Sequence, residues 1–146
     1  MADNADLLQD LVQVARDSKL FYDDASREIT DPRLREIFAR MSAAKGGLIA
    51  ALSGKLVSMG ESAPEGGTLA GTMRKAYADV RATLSSDDAK VYVGQLEETE
   101  DRVLEHFEDA LAKTDSVEVR AVLTEHLPKV RACHDEMRNL KHSMDA

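Results

Sequence analysis

Residues 60–88 read GESAPEGGTLAGTMRKAYADVRATLSSDD, and the way this stretch divides decides how the rest of the chain can be arranged. It opens on Gly60 and a run to Gly67 that carries Gly and Pro but no periodic apolar face, so a helix ends there. Thr68 then stands as a cap before Leu69, Met73, Ala76, Tyr77, Val80 and Leu84, whose spacing predicts a short amphipathic helix over about 69–84. Ser85-Ser-Asp-Asp88 opens the next helix. At 1.5 Å per residue the short helix is ~25 Å long, and with its flanking loops the link can travel most of the length of the helices it joins.

Outward from this link the apolar spacing is helical on both sides. Upstream, Leu34, Ile37, Phe38, Met41, Ala44, Leu48, Leu52 and Leu56 predict a helix over about 32–59, and Leu7, Leu11, Val14, Ser18, Phe21 and Ala25 predict another over about 5–29. Thr30-Asp31-Pro32 separates them, with Asp31 placed to cap and Pro32 suited to a first turn that needs no N–H. Gly46-Gly47 interrupts the composition but not the period. Each Gly costs a helix interior ~1 kcal/mol against Ala, so either a bend or, in preference, a closely packed neighbour is expected there. Downstream, Val91, Tyr92, Leu96, Val103, Phe107, Ala110 and Leu111 predict a helix over about 87–113, and Val119, Leu123, Val130, Cys133, Met137 and Leu140 one over about 116–143. Pro128 lies inside the last pattern, which resumes in phase, so a kink is expected in place of an end. Short connections make the first and second, and the third and fourth, long helices antiparallel. The expected fold is all-α: a ferritin-like four-helix bundle with a long crossover between the second and third long helices that carries a short extra helix, in a single domain over 1–146.

Charge and cysteine content limit the partners. Twenty-seven acidic against nineteen basic side chains give a net charge of −8, which repels nucleic-acid phosphate and anionic lipid alike. Neither is expected as a partner. Cys133 is the single cysteine and cannot form an internal disulfide, the start of the chain is acidic, and no apolar run approaches the ~20 residues of a membrane span. A cytoplasmic location is expected. Part of the acidic excess is patterned: Asp3, Asp10, Asp17, Asp24 and Asp31 recur every seven residues along one drifting stripe that flanks the first apolar face without entering it. In an antiparallel pair Asp17 comes level with Lys45 and Asp24 with Arg35 or Arg40, so at least one of those ion pairs is expected, setting helix register.

Several motifs carry a resemblance. Asp31-Pro-x-Leu-Arg35, Gly66-Gly-Thr68 running to Gly71-x-x-Arg74-x-x-Tyr77, Glu100-Asp101, and His134-Asp-x-Met-Arg-x-Leu140 together resemble a bacterial ferritin-like four-helix-bundle family of unknown function, over about 5–142. The resemblance implies the ferritin-like fold and a bacterial cytosolic protein. It implies no activity.

The fold class poses one sharp question, whether a metal is held between the helices. Carboxylate di-iron bundles need two Glu-x-x-His pairs with two further Glu. The residues three before His106, His126, His134 and His142 are Val103, Leu123, Arg131 and Asn139, so no such pair exists. Hemerythrin-type His-x-x-x-Glu or His-x-x-x-His spacing is also absent. What is left is Glu28, Glu100 and His134, inward-facing or near it on three helices, as a non-standard site for iron, manganese or zinc. The plainer reading of those residues is a hydrogen-bonded boundary cluster with no cofactor. Cys133 and His134 are neighbours that diverge by ~100° on a helix and do not form a nucleophile and base. His126, followed by Pro128 and no Gly, makes a poor phosphotransfer histidine; His106 beside Glu105 and Asp109 reads as a surface cluster. Gly66-Gly67 lacks the Lys of a phosphate loop. The expected function is therefore a non-enzymatic interaction or stress-related module, with homo-oligomerisation left open and Met41, Met59, Met73, Met137 and Met144 as adaptable contact surface. The alternative is a metal or small-molecule site within the bundle.

Overall fold

The computed structural model describes residues 3–62, 77–78 and 88–145. Among these residues there are four long helices and no strand: α1 Asn4–Glu28, α2 Pro32–Ser58, α3 Ala89–Lys113 and α4 Val117–Asp145. Their ends lie where the local chemistry satisfies backbone groups that the helix leaves unpaired. The Asp3 carboxylate accepts from the Ala5 N–H at 2.9 Å, and that of Asp31 from Arg33 N–H at 2.9 Å and Leu34 N–H at 3.4 Å. Ser116 Oγ accepts from Val119 N–H at 3.2 Å before α4. At the end of α2, Gly60 adopts φ 80°, which lets Glu61 N–H reach Leu56 C=O at 2.9 Å and its own N–H reach Val57 C=O at 3.0 Å. These two bonds form a Schellman motif, and the left-handed φ is why Gly stands there. α4 is helical straight through Pro128, which is exposed.

α1 packs most extensively on α2, then α3 on α4 and α1 on α3, while α2 and α4 touch much less. Gln9 Nε2 donates to Ser62 C=O at 3.1 Å, so the chain leaves α2 at the end where α1 begins. Tyr92 packs in one apolar cluster with Ile29 and Leu34, so α3 begins at the opposite end. The short helix expected over 69–84 falls outside the described residues apart from Tyr77 and Ala78, which are helical. Tyr77 stacks on Phe21 with ring centroids 4.3 Å apart, and its hydroxyl donates to Asp24 Oδ2 at 2.9 Å.

The apolar interior is in two parts. One gathers Leu8, Leu11, Ala15, Leu52, Leu56, Val103, Phe107, Leu123 and Val130; the other gathers Phe21, Tyr22, Phe38, Met41, Tyr92, Leu96 and Met137. Along every helix the boundary falls at polar residues: Asp17 and Ser18 on α1, Ser42 and Lys45 on α2, Thr99 and Glu100 on α3, Cys133 and His134 on α4. A polar layer thus crosses the bundle near its middle.

Three expectations are corrected here. No close neighbour explains the glycine pair: a Cβ on Gly46 would meet only the Lys19 side chain at 3.4 Å, and one on Gly47 nothing within 4 Å. Met41 and Met137 are buried and supply interior, while Met59 and Met144 are half-buried and pack on the core. Met73 lies outside the described residues. The aspartate stripe does enter the interior, since Asp17 is fully buried. Lys45 pairs with Glu100 on α3 and Arg40 with Glu136 on α4 at 2.7 Å, while Arg35 Nε donates to Ile29 C=O. Asp10 instead bonds His106 of α3 at 2.6 Å.

Candidate metal centre

The polar layer is organised around Glu100. Lys45 Nζ lies 2.7 Å from Glu100 Oε1, and the Tyr22 hydroxyl donates to the same oxygen at 2.7 Å. The ammonium also lies 5.9 Å from the centre of the Tyr22 ring. Lys45 is 2% exposed and Glu100 0%, so both charges are out of water, which costs several kcal/mol per ion unless they are paired. Burial first, and then the Glu100 carboxylate, push the Tyr22 phenol well above its ordinary pKa, so it stays a proton donor. Glu100 Oε2 is buried without a hydrogen-bond partner among the described residues, and so is Ser18 Oγ. The ammonium is Glu100's counter-ion.

One residue further along α3 the chemistry changes. Glu97 and Asp101, four apart and hence on one helix face, meet His134 of α4, and one ligand-type atom from each lies within 4.8 Å of the others. His134 Nε2 is 2.5 Å from Asp101 Oδ1 and its Nδ1 is 3.1 Å from Asp135 Oδ1. Both ring nitrogens therefore face carboxylates, an arrangement that an imidazolium satisfies by donating twice. Desolvation pulls the His134 pKa down, but the hydrogen bonds to Asp135 and Asp101 outweigh it, and the net shift is upward. Lys141 Nζ stands 3.7 Å from Glu97 Oε2 and partly balances that acid. One imidazole and two carboxylates, on two packed helices and half-buried, form a donor set of the kind that holds a divalent transition metal.

The sequence-derived trio is distributed differently. His134 is brought to Glu97 and Asp101. Glu100, adjacent to Asp101 but ~100° round the helix, turns to Lys45 and Tyr22 instead. Glu28 is the last residue of α1, six residues beyond Tyr22 and so ~9 Å further along the axis, out of reach of a shared ion. No Glu-x-x-His pattern marks Glu97, because these donors come from i and i+4 on α3 with the imidazole opposite. Lys45, expected level with Asp17, falls in phase with Met41, Leu48 and Leu52 on the buried stripe of α2 and pairs with Glu100.

The sequence model of a family described as a domain of unknown function, DUF2383, matches residues 3–113. No curated protein matches the sequence. Among solved structures, one described as "CopM in the Cu(II)-bound form" is similar over 97% of this chain and 97% of its own, with a TM-score of 0.74 and 11% identity. That likeness is one of fold.

Proposed function

The chain belongs to the DUF2383 family of domains of unknown function, and from that premise we propose that it is a non-enzymatic helical-bundle protein that binds a divalent transition-metal cation between α3 and α4 through Glu97, Asp101 and His134. The observation that carries this reading is the convergence of three donors from two helices within 4.8 Å. The mixed nitrogen and oxygen set suits zinc, copper(II), manganese or iron(II), with copper(II) bound most tightly on intrinsic affinity. A protein of the same fold is described as binding Cu(II), which supports the class of ligand. The metal would replace the proton shared by His134 and Asp101, whose 2.5 Å separation must open slightly to admit an ion with bonds of ~2.0–2.2 Å.

The same reading takes the topology as ferritin-like, supported by the opposite ends at which α2 stops and α3 starts, and the setting as a bacterial cytoplasm, supported by the family resemblance. The competing idea of a methionine-rich docking surface loses its support with the burial of Met41 and Met137.

The test is metal binding by protein purified without a histidine tag. One equivalent of Cu(II) or Zn(II) should bind with release of a proton near neutral pH, and His134→Ala should weaken it at least tenfold, the usual scale for a lost ligand or its orienting partner. Asp101→Asn and Glu97→Gln should each weaken it as well. Metal-free protein that takes up no ion, or uptake indifferent to all three substitutions, would overturn the proposal.

A further inference from the structure

The loosely packed seam between α2 and α4 holds a cavity of about 220 Å3. Its walls include Leu48 and Val130; Lys45, Cys133, His126 and Lys129 also line it, and among the described residues no carboxylate does. Gly47 lies on its wall, and a Cβ there would meet nothing within 4 Å. An Ala at this place would favour the helix by ~1 kcal/mol, so the glycine keeps open a space that packing does not require to be open. Lys45 is the informative wall residue. It is 2% exposed and carries three N–H donors, yet the described residues give it one hydrogen-bonding acceptor, Glu100 Oε1. With Glu100 Oε1 occupying one of three donors, the ammonium keeps N–H groups for a second acceptor beside the cavity. Lys129, exposed, and His126, half-buried, add further basic groups.

We infer that this cavity binds a small amphipathic monoanion, an apolar body carrying one carboxylate that accepts from Lys45 and lies against Leu48 and Val130. Size sets the ligand: an apolar cavity of ~150 Å3 takes benzene, so this one accommodates about nine non-hydrogen atoms. Hexanoate and benzoate meet that limit as aliphatic and aromatic representatives. The site is separate from the Glu97–Asp101–His134 cluster and does not depend on it.

Cys133 supplies the readout, being the single cysteine and a wall residue. Its half-buried thiol stands on the cavity wall, so an occupant of the cavity shields it from neutral N-ethylmaleimide. With a Kd of about 1 mM, hexanoate or benzoate at about 10 mM should occupy ~90% of the sites and slow labelling about tenfold, saturably. Hexylamine, hexan-1-ol and acetate at the same concentration should leave the rate within a factor of about two, because each lacks either the charge or the body. Lys45→Met should abolish the protection but leaves Glu100 without its counter-ion, so the deciding variant is Gly47→Leu, which fills the cavity from a position with room for it. With its helicity checked by circular dichroism, Gly47→Leu should show the same labelling rate with and without carboxylate. Protection by hexylamine or hexanol equal to that by hexanoate, no protection by either carboxylate, or undiminished protection in Gly47→Leu would overturn the inference.

Discussion

Lys45, Glu100 and Tyr22 show how a residue can be costly alone and well placed in company. Removing either charged partner strands the other in a site with under 3% exposure, so Lys45→Met or Glu100→Leu should each cost about 3–5 kcal/mol in urea unfolding. The double variant should cost far less than the sum, because both desolvation penalties disappear together. Additive losses would show that the two side chains do not act as a pair. At this scale the sequence was only partly readable. That Glu100 faces inward followed from its phase with Leu96 and Val103. Its partner did not, because a lysine in an apolar stripe can equally extend its stem to solvent, and only the rotation of α2 against α3 decides. The aspartate stripe teaches the same lesson. Asp3 and Asp31 cap helices, Asp10 bonds His106, Asp17 is buried, and Asp24 accepts from Tyr77. A seven-residue period places side chains on one line but does not say which neighbour each will meet.

Among the elements, α2 holds most of what sequence alone reveals and most of what it conceals. Both its ends were legible, since Asp31, Pro32 and Gly60 each have one local conformation that suits them, and the structure places them at N-cap, first turn and left-handed C-terminal position. The glycine pair was not, because a gap and a close neighbour both select against a side chain. With nothing within 4 Å of its Cβ position, Gly47→Ala meets no clash and should raise stability by about 0.5–1 kcal/mol, read as a higher urea midpoint with unchanged slope. A loss of stability would mean that the seam closes more tightly than the structure shows. The tie between α3 and α4 is a different case: Glu97 and Asp101 were visible as an i, i+4 pair, but the imidazole that makes them a donor set comes from a helix over thirty residues away.

For the molecule as a whole, charge pairs set the response to pH. His106 is raised first by its hydrogen bond to Asp10, against an opposing desolvation effect, and His134 is raised on balance by Asp135 and Asp101. A raised imidazole contributes fully below the unfolded value of about 6.5, and its contribution fades as pH climbs through the folded pKa. Glu136 runs the other way: its bond to Arg40 lowers its pKa, so its contribution is present above the ordinary carboxylate range and is lost as pH falls through the lowered value. Metal-free protein should therefore melt highest between these two ranges and lower as pH rises past neutrality. Asp10→Asn should flatten that alkaline decline, and a thermal melt series across pH 6–9 checks it; an unchanged decline would remove His106 from the account. No helix among the described residues is long and apolar enough to cross a membrane. The polar layer has one more consequence, for sliding. Two apolar half-cores made of interchangeable Leu, Val and Phe would tolerate a helix displaced by one turn, ~5.4 Å, almost without penalty. The same displacement of α3 would draw Glu100 away from Lys45 and carry it among Leu and Phe side chains as a bare charge. The buried ion pair is thus a latch: it stops the helices from shearing past one another and leaves the bundle a single alignment.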